Sequence, residues 1–152
     1  MINAFKYSGS EKAGVYLRYA PLFLWIAVIF YMSSGAGSFE QTSGFIGPLL
    51  AFLFPNAPPE TIASYHGFIR KCAHFVVYGM LAFFAHMAFV RWPRWPAIVL
   101  GVVALVAILD ELNQSYNKAR TGAAADVMLD FAGGLFAFAL VWFTAHRRLS
   151  RG

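Results

Sequence analysis

Charge is scarce in this chain. Only 12% of its 152 residues are Asp, Glu, Lys or Arg, against about a quarter in an average soluble domain. Hydrophobic residues make up 59%, which excludes an ordinary water-soluble particle of this size. Acidic residues are scarcer than basic ones, 7 against 12, leaving a net charge of +5. The basic side chains form no stripe or block; they lie at the termini and between apolar runs. That distribution excludes nucleic acid as a partner and marks them as orientation signals for membrane insertion. Cysteine is limited to Cys72, so no intrachain disulfide can form. Set among apolar neighbours, Cys72 reads as an inert side chain, not a reactive thiol.

What the chain has instead is long apolar runs. Four reach membrane length: about 15–34, 68–90, 95–116 and 123–145. Each holds roughly 20 residues, which at about 1.5 Å per residue crosses a hydrocarbon core of about 30 Å. The expected fold class is all-α: a polytopic membrane protein with a bundle of four transmembrane helices, residues 1–152 forming one domain. The first run has a basic stretch before it and small residues, Ser33–Ser34–Gly35, at its end, as a cleaved leader would. Its length and the three spans that follow favour a retained anchor.

Positive charge sets the expected topology. Lys6, Lys12, Arg18, Arg91, Arg94, Arg147, Arg148 and Arg151 fall on one side, and Arg70, Lys71, Lys118 and Arg120 on the other. The excess places both termini in the cytoplasm. Trp92 and Trp95, in the inner turn, have the character of interfacial anchors. Between the first two spans lies an outer connection of about 35 residues, long for a loop. Within it, residues 45–54 are apolar but too short to span, which suits a re-entrant or interfacial segment. Pro55–Asn–Ala–Pro–Pro59 then breaks the chain, and a helix is expected from Glu60 into the second span, with Pro59 in its first turn.

The few ionisable groups inside the spans are not scattered. An Asp at the middle of a membrane helix costs about 2.5–3.5 kcal/mol to insert, yet Asp110 and Glu111 stand side by side in the third span. Asp110 and Gln114 share a face at i and i+4, with Glu111 about 100° around. On the second span Lys71, His74 and Tyr78 fall at i, i+3 and i+7. On the fourth, Asp126 and Asp130 fall at i and i+4 near the positive end of the helix dipole. All these stripes lie toward the outer end. Gly133–Gly134 just beyond them offers a surface for close helix approach. His66 and His86 read as surface or packing histidines.

In this order the residues resemble a known family. Arg70–Lys71–x–x–His74–Phe75–x–x–Tyr78, Asp110–Glu111–x–x–Gln114 and Arg120–x5–Asp126–x3–Asp130–x2–Gly133, with Tyr31–x–Ser33–Ser34 at the end of the first span, are similar to the VanZ-like family of small bacterial membrane proteins. The resemblance covers all four spans. It implies a cell-envelope location, and the name-giving member is associated with low-level resistance to teicoplanin, a lipoglycopeptide antibiotic. It implies no reaction.

Three readings of the cluster remain open. As an enzyme site, His74, Asp110, Glu111 and Asp126 would carry the chemistry, with His74 as general acid or base. Lys71, Tyr78, Gln114, Arg120 and Asp130 would hold the substrate, Lys71 and Arg120 clamping a phosphate. Asp126 and Asp130, helped by Asp110 or Glu111, would hold a divalent cation such as Mg²⁺ through oxygen ligands. As a binding site, the same groups would recognise a membrane lipid, a lipid-linked cell-wall precursor or a lipoglycopeptide. As a structural lock, they would only pair with one another across the helices.

Overall fold

The computed structural model of the chain describes residues 2–36, 39–116 and 124–149. These form five α-helices and one π-helical turn: α1 (Ile2–Tyr31), the π-turn (Met32–Ala36), α2 (Phe39–Leu53), α3 (Pro59–Phe89), α4 (Trp95–Tyr116) and α5 (Ala124–Leu149). There is no strand among the described residues. Four stretches are long and apolar enough to cross a membrane: Tyr16–Ser34, Pro59–Phe89, Trp95–Ser115 and Ala125–Thr144. The all-α, four-span expectation is what the structure contains.

The connection between the first two spans differs from a loop. Its described residues are mostly helical, because a chain near hydrocarbon lowers its cost by satisfying its backbone groups internally. The apolar segment expected there is α2, which is too short to span. α2 packs along the first half of α3, burying Leu50 and leaving Phe45 and Phe52 more than four-fifths exposed. Pro59 sits at the first helical position of α3, where its missing N–H costs nothing, and Glu60 follows in the first turn. At about 46 Å, α3 is longer than a bilayer core, and its first turns are free to support α2.

α3 is the hub, touching α1, α2, α4 and α5. Its core face is built from Tyr78, Leu81, Ala82, Ala85 and Ala88, all buried. The alanines let neighbouring backbones come close, the usual means of helix association where lipid is as apolar as the side chains. Val99, Val103, Val106 and Ala107 of α4 and Leu22 and Ile29 of α1 complete the core. The Trp25 indole N–H donates to the Val77 carbonyl at 3.0 Å, tying α1 to α3.

Two glycines set how closely α5 approaches. A Cβ on Gly133 would collide with the backbone carbonyl of Phe75 on α3, and one on Gly134 would meet Val103 of α4 at 2.5 Å. The close approach expected of this glycine pair is therefore what the helices use. Aromatic rings fill the opposite end of the bundle. Trp95 packs within 4.7 Å of His86 and 5.6 Å of Trp142, centroid to centroid. Trp95 thus faces inward as a packing residue, while Trp92 keeps the exposed position expected of an anchor and donates to the Tyr19 hydroxyl at 3.2 Å.

Candidate functional site

Away from that aromatic end, α3 presents Arg70, His74 and Tyr78 at i, i+4 and i+8. α4 runs antiparallel to it and brings Asp110 and Gln114, while α5 brings Asp130. Asp110 is the centre. Its Oδ2 accepts hydrogen bonds from the Tyr78 hydroxyl and the Gln114 side-chain amide, both at 3.0 Å. Its Oδ1 is buried and has no hydrogen-bond partner among the described residues. The residue as a whole is only 2% exposed. Such a group is expensive to bury half-satisfied, because a desolvated acceptor forfeits the hydrogen bonds that water gave it.

On the α5 side, the His74 Nδ1–H donates to Asp130 Oδ1 at 3.0 Å. Asp130 is also 2% exposed, whereas the His74 side chain keeps 26%. His74 therefore stands between a buried carboxylate and open space. One donor atom from each of His74, Asp110 and Asp130 lies within 4.8 Å of the others.

The open space is a cavity of about 190 Å³ between α1, α2, α3 and α4. Ser33, Thr42, Arg70, His74, Tyr78, Asp110 and Gln114 supply its polar lining. Val28, Ile29, Met32, Ile46, Ile69, Ala73 and Val77 supply the rest, so most of the wall is hydrocarbon. Three further hydrogen bonds hold the rim. Asn113 donates to Ser33 Oγ at 3.2 Å, and Ser33 Oγ reaches the Asp110 carbonyl at 3.5 Å, joining the π-turn to α4. Thr42 of α2 hydrogen-bonds His66 of α3 at 3.0 Å, so His66 serves packing.

Of the residues singled out in the sequence, the structure brings together His74, Tyr78, Asp110, Gln114 and Asp130. It does not bring Lys71 with them; Lys71 is exposed and Arg70, about 100° around the same helix, faces the cavity instead. Glu111 and Asp126 are half-buried and line neither the cavity nor the His74–Asp110–Asp130 cluster. Among the described residues, Asp130 groups at metal-ligand spacing with His74 and Asp110, and Asp126 is outside that group. Arg120 and Lys118 lie outside the described residues. Ser33, Thr42 and Arg70 were missed as lining groups. Arg70 had a readable signal, the i, i+4, i+8 stripe with His74 and Tyr78. Thr42 had none, because its place depends on α2 folding back on α3.

The sequence model of the VanZ/LLP1 family matches residues 19–145, from within α1 to near the end of α5. The chain belongs to the VanZ/LLP1 family. With four spanning helices, it is a VanZ-like multi-pass membrane protein. The matched region takes in the whole of the His74–Asp110–Asp130 cluster and its cavity. No curated protein and no solved structure matches the chain.

Proposed function

We propose that this VanZ-like chain, folded as one domain, binds an anionic lipid or lipid-linked cell-envelope molecule in the cavity, from the outer leaflet of the bacterial cytoplasmic membrane. The observation that carries the reading is the mixed lining. Apolar walls from α1, α2 and α3 suit an acyl or polyprenyl chain, and they end on Arg70, His74, Tyr78 and Gln114. A guanidinium matches a phosphate oxygen pair in geometry and charge, and the amide and phenol add orientation. Pockets of this kind, apolar with a few convergent polar groups, are the usual form of a small-molecule site. A lipoglycopeptide such as teicoplanin, or the wall precursor it competes for, falls within the same ligand chemistry.

The bias of basic residues toward the termini and the Val90–Pro96 turn supports a topology with both termini in the cytoplasm and the cavity at the extracytoplasmic side. A cysteine introduced at Lys118, with Cys72 replaced by Ser, tests it: an impermeant maleimide added to intact cells labels it. Labelling only after lysis refutes the orientation.

Native mass spectrometry of the purified protein with phosphatidylglycerol, a polyprenyl phosphate and phosphatidylcholine tests the binding itself. The anionic lipids are retained at voltages that strip the zwitterionic one, and Arg70→Ala abolishes the difference. Equal retention of all three by the wild-type chain defeats the reading. One observation favours a second, catalytic version: the His74–Asp130 hydrogen bond has the form of a general base held by an orienting carboxylate. A product formed from a labelled lipid panel, and lost in His74→Gln, distinguishes turnover from binding alone.

A further inference from the structure

Two carboxylates at 2% exposure, Asp110 and Asp130, are drawn from different helices toward one imidazole. Buried charge must be paired, neutralised or coordinated. Here the division of labour on Asp110 is specific. Oδ2 takes both available hydrogen bonds, from Tyr78 and Gln114, and Oδ1 takes none among the described residues. That is how a ligating carboxylate is held: one oxygen oriented by outer partners, the other left to the ion.

We infer that His74, Asp110 and Asp130 form a binding site for one divalent first-row transition-metal ion. The three donor atoms already lie within 4.8 Å of one another. Metal–ligand bonds of about 2.0–2.2 Å place neighbouring ligands roughly 3–3.5 Å apart. His74 Nδ1 and Asp130 Oδ1 stand 3.0 Å apart, at that spacing, and an ion bound there displaces the Nδ1 proton to solvent, while a carboxylate oxygen of Asp110 lies within 4.8 Å of a ligand atom on each. One nitrogen and two carboxylate oxygens suit Zn²⁺, Mn²⁺ or Fe²⁺, whereas Mg²⁺ and Ca²⁺ favour oxygen ligands alone. A 2+ ion also cancels the two carboxylates.

Three protein ligands leave positions open, and both His74 and Asp110 line the cavity, so those positions face it. An ion there would present a Lewis acid to an oxygen of whatever the cavity holds. The site is not the Asp126–Asp130 pair suggested by spacing on α5, because Asp126 does not join the cluster. The inference shares the cavity with the lipid-binding reading without resting on it, since the ion is measured with no lipid ligand added.

Electron paramagnetic resonance of Mn²⁺ titrated into the purified, chelator-stripped, untagged full chain reads binding directly. The free-ion signal is expected to fall with a stoichiometry of one per chain, Zn²⁺ to displace Mn²⁺, and equimolar Mg²⁺ to leave it bound. Asp110→Asn and His74→Gln are expected to weaken Mn²⁺ binding at least tenfold. Gln114→Ala keeps all three ligands and serves if those variants do not fold; loosening Asp110 should weaken binding about 10–100-fold. The proposal is overturned by a wild-type chain that takes up no Mn²⁺ while retaining its helical circular dichroism. It is equally overturned if Asp126→Asn abolishes uptake while Asp110→Asn spares it. Zero Mn²⁺ uptake alongside retained anionic lipid would remove the ion and leave the binding reading standing.

Discussion

Three glycine-to-alanine changes should separate sharply, although each adds the same methyl group. In an α-helix interior Ala is favoured over Gly by about 0.8–1.0 kcal/mol. At Gly79 the new Cβ meets Ala137 Cβ and the Gly133 carbonyl at 3.5 Å, ordinary contact, so the propensity gain survives. At Gly133 it collides with the Phe75 backbone carbonyl, carbon and Cα, none of which can rotate away. Overpacking typically costs 1–3 kcal/mol, and a backbone obstacle puts this position at the upper end. The expected net effects are a gain of about 0.5–1 kcal/mol for Gly79→Ala and a loss of about 2 kcal/mol for Gly133→Ala. Gly134→Ala, facing the stiff Val103 side chain, falls between. At about 2–4 °C per kcal/mol for a chain of this length, Gly133→Ala lowers the apparent melting midpoint by roughly 4–8 °C. Emission from the four tryptophans during a thermal ramp in detergent reads it. The shift also reaches the site, because Phe75 adjoins His74 and Gly133 lies one turn from Asp130. A Gly133→Ala protein as stable as wild type, or a Gly79→Ala protein less stable than Gly133→Ala, refutes the packing argument.

Tyr78→Phe removes one of two donors to Asp110 Oδ2 and should cost about 1–2 kcal/mol, between the value for bonds to charged groups and the lower one found inside membranes. A double-mutant cycle with Gln114→Ala checks it, and coupling indistinguishable from zero speaks against a shared acceptor. Asp130→Asn should perturb stability more than Asp126→Asn, since only Asp130 is fully buried and bonded to His74; equal effects in chemical denaturation would contradict this. Phe45→Trp, placing an indole on the exposed face of α2, should show blue-shifted emission quenched by brominated lipid in vesicles. Emission near that of indole in water would mean that α2 faces solvent.

Much of the fold was legible because its signals are local. A run of about 20 apolar residues declares a span wherever it occurs, and Pro59 with Glu60 announces the start of α3 from chemistry confined to one turn. The i+4 spacing of Asp110 and Gln114 placed them on one face, and they share one hydrogen bond in the structure. Lys71 was the harder case. Both Arg70 and Lys71 are basic, adjacent and near His74, so only the rotation of α3 against its neighbours distinguishes them. The same holds for Asp126 and Asp130 on α5, one turn apart and equally acidic.

From residue order alone follow the four membrane-length helices, the family, and the gathering of ionisable groups toward one end, since hydropathy and the 3.6-residue period are carried by each segment separately. Tertiary contact decided the rest: that α2 folds back to wall a cavity, that Arg70 and not Lys71 faces it, and that Asp130 meets His74 while Asp126 stays apart. Those outcomes depend on how each helix is rotated and how near its neighbour lies. Here that is set where Gly133 meets the Phe75 backbone, a contact between residues far apart in the chain.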